Sequence, residues 1–105
     1  MTNNACSAFE RLARDFLAAH PSLRHEWRSI QDRLFGDRLD LVFAPASTTS
    51  PEVWASLSEV QIAVGAGGDH EDFEPFGRHI SHDEVAQEAF AHLTALLHQH
   101  GYVGH

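Results

Sequence analysis

Apolar side chains recur along this chain first at helical spacing, then at alternating spacing, then at helical spacing again. Ala5, Phe9, Leu12, Ala13, Phe16, Leu17 and His20 fall on one face of a helix, and Glu10/Arg14 and Arg11/Asp15 make i,i+4 pairs on the other. The pattern predicts an amphipathic helix capped by Asn3 or Asn4. Pro21 should stop it, because the residue before a proline avoids the helical region.

The stretch from Ser22 to Asp37 supports two readings. Leu23, Trp27, Ile30 and Leu34 sit at helical intervals behind a capping Ser22, while Trp27 to Gln31 reads equally as an edge strand before a turn at Gly36-Asp37. From Arg38 the period is two: Leu39, Leu41 and Phe43 alternate with Arg38, Asp40 and Val42, which predicts a half-buried strand. APASTTSPE follows as a loop. Glu52 to Leu57 and Val60 to Gly65 read as two more strands, and only Ser58 and Glu59 separate them, so an antiparallel hairpin is the natural connection.

Near the C-terminus, Ser81-His82-Asp83-Glu84 matches a capping box. Behind it, Val85, Ala86, Ala89, Phe90, Leu93, Leu96 and Leu97 form one broad apolar stripe, and Gly101 supplies a stop. The fold class expected is therefore α+β, a single domain over residues 1–105: a three- or four-stranded antiparallel meander packed on one face by N- and C-terminal helices. A chain of 105 residues that is 43% hydrophobic suits one such domain without disulfides or metals. Its other sheet face is left to water or to a partner.

Between the last predicted strand and the final helix, Gly65 to Ser81 forms a connection longer than the roughly 12–15 residues above which loops tend to be functional or disordered. Phe73, Phe76 and Ile80 offer apolar anchors, so the expectation is an ordered loop with Asp69, His70, Glu71, Asp72 and Glu74 grouped near its start.

Charge is unevenly placed. The formal net charge is −8; residues 1–38 carry six Arg against five acids, and residues 39–105 carry one Arg, Arg78, against ten acids. An acidic half repels phosphate backbones and attracts cationic partners, which disfavours nucleic-acid binding. No apolar run reaches the length of a membrane span and the N-terminus lacks the pattern of a signal peptide, so a soluble, cytoplasmic protein is expected. Cys6 is the sole cysteine and can form no internal disulfide.

The acidic stretch supports a metal reading as an alternative: Asp69, His70, His79 and His82 are nitrogen and oxygen donors of the kind zinc or another divalent ion takes. Their spacing matches no metal motif. No activated nucleophile is evident, and the glycine-rich run lacks the Lys-Ser/Thr of a phosphate loop, so neither an enzyme nor a resident cofactor is expected. His98 and His100 diverge on an ideal helix, and, like His20, suit a helix C-terminus. Trp54, out of phase with Val53 and Ala55, is expected on the open sheet face, where an aromatic suits a protein partner.

The phrase EVWASLSEVQIAVGAGGDHEDF, followed by a capped helix, resembles small bacterial immunity-like proteins of polymorphic toxin systems. The likeness covers Glu52 to Leu97 and is carried by Val53, Leu57, Ile62, Val64, His70, Phe73 and the closing helix. It implies a protein that neutralises a basic toxin domain by binding and performs no chemistry. The partner-binding residues expected are Trp54, Asp69, His70, Glu71, Asp72, Phe73 and Glu74. A structural homodimer through the open face or an edge strand is a further alternative.

Overall fold

The computed structural model describes residues 4–32, 36–45, 47–58, 61–74 and 81–103. Its elements run α1 (Asn4–Ala19), β1 (His25–Asp32), β2 (Gly36–Phe43), β3 (Val53–Leu57), β4 (Ile62–Ala66), β5 (Asp69–Phe73) and α2 (His82–Gln99). The strands form one antiparallel sheet in sequence order. The α+β class holds, but the expected three or four strands are five.

Both additions have a physical cause. The two-way segment after Pro21 is a strand, because its whole length pairs with β2 from His25↔Phe43 to Asp32↔Gly36 and gains a full ladder of hydrogen bonds. Gly36 and Asp37 open β2 instead of forming the turn. Residues 33–35, Leu34 among them, lie outside the described residues, as do Asn3, Glu59, Val60, Phe76, Arg78, His79, Ile80 and His105.

The second correction concerns the acidic loop, which is a strand over Asp69–Phe73 with Glu74 just beyond it. Gly67 and Gly68 make a two-residue hairpin turn between β4 and β5, and Gly67 takes a positive φ of 61° that only glycine adopts readily. The acids of β5 are then held by its backbone pairing with β4, in register from Ile62↔Phe73 to Ala66↔Asp69.

The core lies between the sheet and the helices. Leu41, Phe43, Val53, Ala55, Ile62 and Val64 from the sheet are fully buried against Phe9 of α1 and Val85, Leu93 and Leu97 of α2. Phe90 joins the helices, meeting Phe9 and Phe16 edge-on at 6.1 and 5.7 Å. Cys6 ties the start of α1 to the end of β3, its Sγ donating to the Ser58 carbonyl at 3.0 Å.

The predicted helix ends are present. Ser81 accepts the Glu84 N–H at 3.1 Å, and its hydroxyl donates to the Glu84 carboxylate at 3.4 Å. At the other end Gly101 has φ 76°, and the Tyr102 and Gly101 amides donate to the carbonyls of Leu97 and His98, closing α2 in a Schellman turn. The Tyr102 hydroxyl then donates to the Pro51 carbonyl at 2.6 Å, fastening the β2–β3 loop to the end of α2. His20 stacks on Phe16 and bonds its carbonyl at 2.9 Å, satisfying a terminal acceptor of α1.

Candidate functional site

Strand alternation sends every second residue away from the helices, and the register aligns these residues into rows across the sheet. One row runs Glu26, Val42, Trp54, Gly65, His70; the next runs Arg28, Asp40, Ser56, Ala63, Asp72. All of these but Glu26 and Gly65, together with Arg38, Glu52, Ser58 and Gln61, line a shallow depression of about 530 Å³ on the open face.

Trp54 is one of the lining residues, on the open face as its phase predicted. The indole folds across Gly65, and its Nε1–H donates to the Gly67 carbonyl at 3.1 Å. Gly65 is what makes that seat. A Cβ there would stand 2.8 Å from Trp54 Cζ2 and 2.7 Å from His70 Cβ, and would also collide with the Asp69 carbonyl. The His70 ring sits tilted beside the indole at 5.8 Å.

Polar groups around Trp54 are cross-linked. Asp40 Oδ1 accepts from Arg38 Nε at 3.0 Å and from the Ser56 hydroxyl at 2.7 Å. Asp72 Oδ1 accepts from Gln61 Nε2 at 3.2 Å and lies 3.5 Å from His70 Nε2, a contact that is ionic only when the imidazole is protonated. Arg28 pairs with Glu26 at 3.0 Å. That bond and the further fields of Glu52 and Asp40 raise the already high pKa of the Arg28 guanidinium. The lining thus holds three carboxylates, Asp40, Glu52 and Asp72, against two arginines, with Glu26 at the margin.

The expected site residues do not form one group. His70 and Asp72 share the open face with Trp54, whereas Asp69, Glu71 and Phe73 alternate to the helix side. Phe73 is buried, and Glu71 approaches His92 of α2 at 3.6 Å. Glu74 is exposed beyond the strand end. The donors named for a metal are separated too: Asp69 lines a surface depression with Leu96 and His100, near the end of α2, and His82 stands in its first turn. At 1.5 Å rise per residue those two levels of α2 are about 20 Å apart. Among the described residues no group of three or more His, Cys, Asp or Glu is placed to hold a metal ion.

Arg28, Arg38, Asp40, Glu52, Ser56 and Gln61 were not singled out from the sequence. Their signal is phase: on β2, Asp40 stands between the core residues Leu39 and Leu41. No protein-family model, curated protein or solved structure matches the chain. Among the described residues no helix is long and apolar enough to cross a membrane.

Proposed function

We propose that the protein is a non-catalytic binding module, immunity-like in the sense of capturing a basic protein domain, and that it binds through the open sheet face around Trp54. The observation that carries this reading is the seat of the indole. A large aromatic is held half-exposed by a glycine that no other residue can replace without displacement, at the middle of an uncovered face. Half-buried tryptophans in such positions make the anchors of protein interfaces.

The surrounding chemistry supports a basic partner. Asp40, Glu52 and Asp72 give the depression an acidic balance, and Arg28 and Arg38 are already occupied by Glu26 and Asp40. A lysine or arginine of the partner would meet the indole face and a carboxylate together. Complementary charge of this kind speeds encounter and suppresses acidic competitors. His70 and Asp72 complete the contact surface of β5, and Glu74 adds charge at its rim.

A photo-cross-linking residue at position 54, compared with one at the solvent-exposed Ala91 of α2, tests the reading in native lysate. The expected result is a basic protein captured at position 54 and absent at position 91. With that protein purified, Trp54→Ala should weaken binding by about 2 kcal/mol or more, and added salt should weaken it further. The same products from both positions, or binding unchanged by Trp54→Ala, would refute it.

A further inference from the structure

Hydrogen bonding in β1 shows which of its backbone groups are spoken for. The Ala44 amide donates to the Arg24 carbonyl at 3.0 Å, so residues 24 and 44 form a bonded antiparallel pair. Along the unbroken register that follows, the backbone groups of Glu26, Arg28 and Ile30 point at β2, and those of His25, Trp27, Ser29 and Gln31 point away from it. Among the described residues β1 pairs only with β2, and His25, Glu26, Arg28, Ser29 and Gln31 are exposed. An eight-residue edge with free donors and acceptors is a template for another strand.

The side chains select which strand. For two copies of β1 running antiparallel about a twofold axis, hydrogen bonding requires outward-pointing residues to face each other, which leaves registers two residues apart. One sets Glu26 against Glu26, another sets Arg28 against Arg28, and both repel. The register between them places Trp27 opposite Trp27 at the axis, His25 opposite Ser29, and Glu26 opposite Arg28 on each side, so that the Glu26–Arg28 pair within each copy joins its counterpart in one alternating group of four charges. The opposite edge offers nothing comparable. Its outward-pointing groups belong to His70 and Asp72, and self-pairing sets Glu71 against Asp69, Glu71 against Glu71, or Asp72 against Asp72.

We propose that two copies of this chain pair through β1 in the register that sets Glu26 against Arg28 of the second copy. The two sheets then continue as one, and their two Trp54 depressions face the same side. This pairing shares Arg28 with the lining of the Trp54 depression, but none of its contacts involves Trp54, so Trp54→Ala separates the partner-binding reading from it.

Two experiments decide it. In sedimentation equilibrium, the wild type should rise with concentration from the monomer mass towards twice that value. Glu26→Arg and Arg28→Glu should each weaken self-association by roughly tenfold or more, because each turns two attractions into two repulsions, and the double swap should restore it. In the second, E26C and R28C are oxidised separately and mixed. A disulfide-linked dimer in the mixture, at several-fold excess over either variant alone, is the expected result. A wild type that stays monomeric, a double swap that fails to recover, or efficient cross-linking of E26C or R28C with itself overturns the proposal. Melting curves of each variant confirm that the exposed substitutions leave the fold intact.

Discussion

Leu41 and Asp40 are neighbours on β2, yet one is fully buried beneath the helices and the other stands on the open face bonded to Arg38 and Ser56. The helix side is held by apolar area and close packing, so what matters there is volume. The open side is held by short polar links and one seated indole, so what matters there is partner and geometry. A protein whose two sheet faces obey such different rules can lose one kind of residue with little effect on the other.

The largest effect expected is on the covered face. Leu41→Ala should lower stability by about 2–5 kcal/mol, whereas Val42→Ala, one residue along on the open face, where Val42 is buried but stands outside the main core cluster, should lower it by less. Urea unfolding of both variants checks this, and equal losses would erase the distinction between the faces. Next comes Gly65→Ala, expected to cost about 1–3 kcal/mol, because the added methyl meets Trp54, His70 and a backbone carbonyl together. Tryptophan fluorescence should shift in the same variant. Adding Trp54→Ala should relieve only the part of the strain that belongs to the indole.

A smaller loss, about 1 kcal/mol, is expected for Asp40→Ala, which strands Arg38 and Ser56 where both can turn to water. At neutral pH the smallest effect belongs to Cys6, whose contribution appears only in alkali. Burial pushes its thiol up to about 11 from 9.0, against the opposing pull of the Ser58 hydrogen bond. The unfolded chain ionises first, so the wild type should lose stability relative to Cys6→Ala as pH rises from about 9 to about 11, and not below. Denaturation midpoints across that range measure it.

Both helices, β2 and β3 were legible because each carries its own period, and in each the periodic residues are the ones that reach the core. β1 was not, because Leu23, Trp27 and Ile30 satisfy a helical period and the deciding interaction is its pairing with β2, which no local pattern contains. β5 was missed for a related reason. DHEDF has four charged or ionisable residues and one phenylalanine, so neither strand propensity nor apolar alternation marks it. The signal present was Gly67-Gly68, a dipeptide suited to a two-residue hairpin directly after a strand. Reading the segment as a loop also grouped its acids together, and the strand sorts them onto two faces. For the site, Trp54 was legible from phase, while its neighbours Arg28 and Asp72 come from strands distant in sequence.

The short hairpin between β4 and β5 also constrains which length changes the lineage can accept. Losing or gaining one residue in that turn would exchange the two sides of β5, turning Phe73 out to water and carrying His70 and Asp72 beneath α2. A change of two residues would keep every side chain on its present side. Divergent copies of this chain should therefore vary here in even steps, like a reading frame of two.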